Sequence, residues 1–245
     1  MANIIKTKAI VLKTIPFKES SLITSLLTDK LGKIKVLAKG IRRPKSKLCG
    51  TLEPFSLDEI IFYKREFKEM YTLSDASVLE GFDHIRSQPG SVHAAMVFCE
   101  FFDKTLPAEE RDDESFSFFV RFLKKLQSVD ETEVKSLVFS YLLRALSGAG
   151  VRPHIENCVR CHTPMRTHEK KFNFSINAGG LVCSKHYDDT VIFLSTETVD
   201  TIKKIYNNKD ININNNSLRE MENLIPAYLY YHLNSLVLHS LKHLR

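Results

Sequence analysis

The chain has 245 residues, 43% hydrophobic and 26% charged, the composition of an ordinary globular protein long enough for one to three domains with ample core. Its five cysteines are an odd number, three of them in a metal-binding pattern and Cys49 and Cys99 isolated, which argues against a disulfide framework and for a reducing cytoplasm. The net charge of +6 is local: residues 1–80 carry 15 Lys and Arg against 9 Asp and Glu, and the remainder balances at 20 of each, so a polyanion-binding N-terminal domain is expected.

Residues 1–12 hold lysines but no long apolar run before a small-residue cleavage site, so no secretory leader is predicted. Residues 4–14, 21–28 and 33–38 alternate and are rich in β-branched side chains, which predicts three strands with a hairpin turn at 29–32. Residues 55–63 and 70–74 predict two more, joined by a polar turn at 64–68. Five short strands within about eighty residues predict a small barrel, most economically an OB-fold.

Between the third and fourth strands lie Lys39, Arg42, Arg43, Lys45 and Lys47. With Lys33 and Lys35 they make seven basic residues, and residues 31–52 contain no acid. Gly40, Pro44 and Gly50 argue against a helix there. A mobile basic loop on the barrel rim is expected, binding phosphate; a merely solvated loop is the plainer reading of any charge run. Phe17, Phe55, Phe62 and Tyr63 are candidate stacking faces for bases, although aromatic residues in strands more often fill a core.

Beyond residue 80, Gly81 and Pro89-Gly90 punctuate a linker. Helices are predicted at 91–106, with Ser91 as N-cap, at 114–127, and at 133–149, ended by Gly148 and Gly150. A short helix is expected at 195–207 and an Asn-rich loop at 210–216. The stretch 217–243 predicts a final helix or helix pair broken near Pro226, with Leu229, Leu233, Leu236 and Leu241 facing inward. Pro226, His232, Asn234, His239, Lys242 and His243 exclude an ordinary membrane span there. Arg121, Lys124, Lys125 and Arg144 are candidates for holding a partner's acidic, apolar tail; an ordinary helix surface is the plainer alternative.

The sharpest chemical signal is Cys158-Val159-Arg160-Cys161 with Cys183-Ser184-Lys185-His186. Two ligand pairs, each with two intervening residues, match the paired knuckles of a structural zinc site, which close a tetrahedron around one ion. The spacer of 21 residues has room for a strand at 171–176 and a turn at 177–180. His154, His162 and His168 are alternatives to His186 as fourth donor. His154-Ile155-Glu156 before the first pair raises a zinc-dependent nucleobase deaminase. Only one residue separates the two motifs, however, and Cys183 and His186 would fill the position that a catalytic water needs.

Lys39-Gly40-Ile41-Arg42-Arg43, Leu52-Glu53-Pro54-Phe55, Leu142-Leu143-Arg144-Ala145-Leu146, Gly150-Val151-Arg152-Pro153 leading into the first knuckle, and Phe174-Ser175-Ile176-Asn177-Ala178-Gly179-Gly180-Leu181-Val182-Cys183 follow one another along the chain. Their order carries a resemblance to the RecO family of bacterial recombination mediators. It spans nearly the whole chain and departs at His186, where many members place Cys. It implies an α+β multidomain chain. The expected parts are an OB-fold β-barrel (1–80), a helical domain (81–153 and 191–245) and an embedded zinc-knuckle, zinc-ribbon-like insertion (154–190). It implies binding of single- and double-stranded DNA and ATP-independent annealing. The implied partners are RecR and the C-terminal tail of the single-stranded DNA-binding protein SSB, and through them RecA, in the bacterial cytoplasm at the nucleoid. No enzymatic activity and no membrane are implied. Gly32-Lys33-Ile34 agrees, being no phosphate-binding loop. An RNA-binding module with the same kind of barrel and zinc ribbon is the competing reading.

Overall fold

The computed structural model describes residues 3–64, 68–165, 171–207 and 211–244. The predicted turn at 64–68 falls mostly outside these residues. Period-two alternation builds β1 (Asn3–Phe17), β2 (Ser21–Thr28), β3 (Gly32–Ala38), β4 (Leu57–Lys64) and β5 (Tyr71–Glu80). In β3, Ile34, Val36 and Ala38 are buried and Lys33 and Lys35 face outward, as the pleat requires. The strands close into a barrel in the order β1-β2-β3-β5-β4. Closure comes from β3 and β5, which run parallel and pair at Val36–Tyr71 and Leu37–Thr72. β1 spans 15 residues; its first half pairs with β4 and its second with β2, with an irregularity between Val11 and Lys13, the kind of bulge that bends a strand round a barrel.

Both faces of the middle of β1 are buried, since Ile10 and Leu12 on the outside are as covered as Ala9 and Val11 within. The cover is α2 (Pro89–Thr105), whose Cys99 thiol donates to the Val11 carbonyl at 3.5 Å and whose Asp103 accepts from Ser25 Oγ at 2.6 Å. A one-turn helix, α1 (Asp83–Arg86), precedes it. Helix α2 begins at Pro89 with Gln88 as N-cap. Pro89-Gly90 therefore opens the helix, as proline in a first turn does, and Ser91 is a buried residue inside it rather than the cap. α3 (Asp113–Leu126) is capped by Asp112, which accepts from the Ser115 N–H at 2.8 Å, and its Phe122 ring lies 4.0 Å from that of Phe98.

Residues 1–129 and 239–245 form one compact unit, residues 130–238 another. In the first, a 3-10 turn (Ser240–His243) returns to α2. Its Ser240 N–H donates to Glu100 Oε2 at 2.9 Å, while Lys104 Nζ donates to Oε1 at 2.6 Å. Burial alone would push the Glu100 carboxyl up, but these donors outweigh it and hold it at about 2. A depressed carboxyl stabilises the fold above its unfolded value of 4.5 and loses that contribution as pH falls toward 2. Glu100→Gln is therefore expected to be less stable at neutral pH and to lose less stability between pH 4.5 and 2, as read by denaturant titrations across that window.

The second unit contains α4 (Glu131–Gly148), β6 (Lys171–Ser175), β7 (Gly180–Val182), β8 (Val191–Ser195), α5 (Thr196–Tyr206) and α6 (Asn215–His232). The three strands form an antiparallel sheet in the order β7-β6-β8. Ser195 caps α5 and Asn214 caps α6 through side-chain oxygens, as short polar residues do at N-caps. α6 runs through Pro226 without a break. The proline and Glu222, whose carbonyl loses its partner, are both exposed, so water can satisfy the freed group. The helix ends instead at His232, followed by Asn234 and Ser235 with φ of 48° and 58°. Of the expected helix or helix pair, the structure has one helix followed by a reversal, without the break near Pro226. Leu229 and Leu236 are buried, Leu233 and Leu241 half-buried. No described helix is long and apolar enough to cross a membrane.

Candidate polyanion interface and candidate metal centre

The basic segment after β3 is built rather than loose. Successive turns bond Arg43 N–H to Gly40 O, Ser46 N–H to Arg43 O, Cys49 N–H to Ser46 O and Thr51 N–H to Leu48 O, at 3.0–3.2 Å. Gly40, at φ +69°, supplies the left-handed residue at the start. Ile41, Leu48 and Leu52 are at most 8% exposed and join the barrel core. The far end is pinned where Asp58 Oδ2 accepts the Leu52 N–H at 2.7 Å; burial raises the Asp58 carboxyl, and the Leu52 N–H works against that. The expected mobile loop is therefore a folded strap, because its apolar residues are drawn into the barrel end.

Between these anchors Lys39, Arg42, Arg43, Lys45 and Lys47 are exposed, as is Lys35 on β3. No carboxylate among the described residues lies within ion-pair distance of any of the six. Arg42 Nη2 donates to the Glu19 main-chain carbonyl at 3.0 Å, which orients the guanidinium without neutralising it. Lys33 differs: its Nζ donates to the Asp103 main-chain carbonyl at 2.6 Å, and burial lowers its pKa, with the Asp103 charge opposing. It belongs to the packing of β3 rather than to the open cations. Of the candidate stacking rings, Phe55 and Phe62 are core, Phe17 is half-buried and Tyr63 is exposed.

Arg121, Lys124 and Lys125 occupy the second half of α3 in the first unit, and Arg144 lies on α4 in the second. Lys124 and Lys125 sit in the last turn of α3, where cations complement the helix dipole. Arg144 lies over the Tyr141 ring at 5.3 Å, and its Nε donates to Ile205 O at 3.4 Å.

In the second unit the two knuckles meet through β7. The main chain of His154 brackets the strand, its N–H donating to Gly179 O and its carbonyl accepting from Leu181 N–H, while Val159 N–H donates to Leu181 O, at 2.8–2.9 Å. The approach requires Gly180, where a Cβ would lie 2.4 Å from His154 O and 2.7 Å from Val159 Cγ1. β7 runs directly into Cys183, so the second pair is delivered beside the first. Each knuckle closes on itself: His162 N–H donates to Cys158 O at 2.8 Å, and His186 N–H to Cys183 O at 2.9 Å.

The result is a cluster of Cys158, Cys161, Cys183 and His186 whose ligand atoms all lie within 4.8 Å of one another. Cys161 Sγ is 3.8 Å from Cys183 Sγ, and His186 Nδ1 is 3.2 Å from Cys183 Sγ and 3.7 Å from Cys158 Sγ. A tetrahedron with metal–sulfur bonds of about 2.3 Å and metal–nitrogen bonds of about 2.0 Å has edges of about 3.5–3.8 Å, so the donors fit one ion. Burial pushes the Cys158 thiol up, but the main-chain N–H groups of Cys161, Cys183 and Arg160 outweigh it and bring it down to about 6. Cys183 is pulled down by the Lys185 N–H, yet burial and the neighbouring thiols leave it raised. Three sulfurs and an imidazole converging on one point make a donor set that a cation can hold, its binding displacing the thiol protons. Among the described residues, His154 and His162 are not in this cluster; the remaining alternative, His168, lies outside them.

Residues 1–82 match the family described as Recombination protein O N terminal, and residues 86–242 match Recombination protein O C terminal. Similar curated proteins carry the name DNA repair protein RecO. That of Salinibacter ruber is 32% identical over 154 residues, 63% of this chain and 59% of that protein, so the chain spans less than two thirds of this relative. That of Caldicellulosiruptor saccharolyticus is 30% identical over 81% of this chain and 78% of that protein. That of Exiguobacterium sibiricum is 28% identical over 91% and 90%.

Proposed function

The chain belongs to the recombination protein O family, and from that premise we propose that it is a recombination mediator in DNA repair, binding single- and double-stranded DNA without sequence preference. In this reading the barrel is an OB-type domain (1–80), followed by a helical domain (81–153 and 191–245) with a zinc-ribbon-like insertion (154–190). It anneals complementary strands without ATP in the bacterial cytoplasm. With RecR, and by engaging the SSB tail through Arg121, Lys124, Lys125 or Arg144, it helps RecA load onto SSB-coated strands.

The observation that carries this reading is the strap of exposed cations with no carboxylate among the described residues within ion-pair distance. Two strands repel through their phosphates; a fixed row of cations displaces condensed counterions and lowers that repulsion, so complementary bases can meet. Main-chain turns, apolar anchors and the bond from the Leu52 N–H to Asp58 hold the row, while no described carboxylate lies within ion-pair distance of its cations, so their charge stays available to phosphate. Three cysteine sulfurs and an imidazole nitrogen within 4.8 Å of one another suit zinc, which would take the sulfurs as thiolates. Four protein donors would leave no place for a water, which supports a structural role over deaminase chemistry.

The test is annealing of SSB-coated complementary oligonucleotides with no nucleotide cofactor. Acceleration over the protein-free rate is expected for DNA. Equal or greater activity on RNA alone would favour the RNA-binding module instead, and no binding to either polymer at low salt would end the reading.

A further inference from the structure

Beside the strap, Lys39, Tyr63, Lys68, Met70 and Thr72 line a cavity of about 380 Å³, toward the small end of the roughly 300–1,000 Å³ that ligand sites occupy. Its walls divide by chemistry. Tyr63 on β4 is the cross-strand partner of Thr72 on β5 and of Ile4 on β1, so the three side chains stand on one outer face of the barrel. Ile4 is 66% exposed, Tyr63 39% and Met70 36%. The adjacent aromatic residues, Phe62 and Tyr71, point inward and are at most 2% exposed. Lys39 and Lys68 are both exposed, and no described carboxylate lies within ion-pair distance of either.

A partly exposed tyrosine, an apolar neighbour, a hydroxyl and two ammonium groups with no described carboxylate in ion-pair reach, set around one cavity, match a nucleobase with phosphates beside it. A duplex hides its base faces in the stack, whereas single-stranded bases can unstack onto aromatic side chains. We propose that this cavity holds one unstacked nucleotide of a single strand, its base against Tyr63 and its flanking phosphates at Lys39 and Lys68. This rests on the nucleic-acid reading above and deepens it: the strap reads the backbone of either strand type, and the Tyr63 cavity reads the base.

The chain contains no tryptophan, so Tyr63→Trp installs a single fluorescent reporter at the site. Its emission is expected to be quenched by saturating oligo-dT, but not by an abasic oligonucleotide of equal length or by a blunt duplex. In anisotropy titrations Tyr63→Ala should bind oligo-dT about tenfold more weakly and the abasic strand unchanged, while Tyr63→Phe keeps both affinities. Quenching that is the same for abasic and oligo-dT strands, or a folded Tyr63→Ala variant that binds oligo-dT like the parent, would overturn the cavity assignment and leave the strap intact. Failure of the parent protein to bind any of these oligonucleotides would remove the nucleic-acid reading itself, and this site with it.

Discussion

Arg42→Glu with Arg43→Glu is expected to weaken single-stranded DNA binding on the order of 100-fold at 50 mM salt, equally for oligonucleotides of different sequence. Each single-strand phosphate contact contributes about −0.7 to the slope of log affinity against log salt. Six open cations, counted without Lys33 because its ammonium is tied to the Asp103 carbonyl, set a ceiling near −4. Losing two contacts should bring the slope to about −3, and the introduced carboxylates add repulsion on top. Both side chains are exposed, and the strap's anchors are Ile41, Leu48 and Leu52 rather than the arginines, so the double variant should melt like the parent. Lys33→Ala is the contrasting substitution: it disturbs the packing of β3 on α2 and should cost stability with little change in salt slope. Titrations at four or five salt concentrations distinguish these outcomes, and an unchanged slope in the arginine variant would take the strap out of the binding surface.

The barrel strands could be read from sequence because one of their faces must be apolar, and period two then marks each strand to within a few residues. β2 is found at the predicted bounds, Ser21–Thr28. The knuckle pairs could be read because two-residue spacing aims both donors at one point. What escaped depends on distant neighbours. β8 is a short edge strand whose partner, β6, lies some twenty residues earlier, and its burial pattern carries no clean alternation. Pro226 reads as a break because local propensity says nothing of the solvent that accepts the orphaned carbonyl. The strap reads as a free loop because Ile41, Leu48 and Leu52 are spaced irregularly, and their common destination exists only once the barrel end is formed. Lys68, Met70 and Thr72 gave no signal at all, since the cavity arises from strand pairing and no motif spans it. The 154–159 segment is the same case: the tight fit at Gly180 follows from two chain segments meeting.

The same assembly at Gly180 sets the second large effect. Cys158→Ala is expected to abolish metal binding, taking the protein from one zinc per chain to none, and to lower the unfolding temperature of residues 130–238 by about 10 °C or more, since loss of a structural metal belongs among the substitutions costing about 4 kcal/mol or more. Cys158 is fully buried at the point where the first knuckle abuts β7, so its removal takes away both a donor and packing. His186→Cys separates the two contributions: a four-thiolate set suits the same ion, so this variant should retain one zinc and melt near the parent. Chelation of the parent should reproduce the fall in melting temperature without any change in side-chain packing volume. The strap lies on the barrel, in the other compact unit, so DNA affinity measured below the transition should stay within about twofold for every one of these proteins. Folded parent protein without metal, or a chelator-treated parent that melts unchanged, would reduce the cluster to three thiols and a histidine brought together by the chain alone. A selective loss of DNA binding with melting unchanged would instead assign the metal a direct part in recognition, because a brace acts through stability first and a contact acts through affinity first.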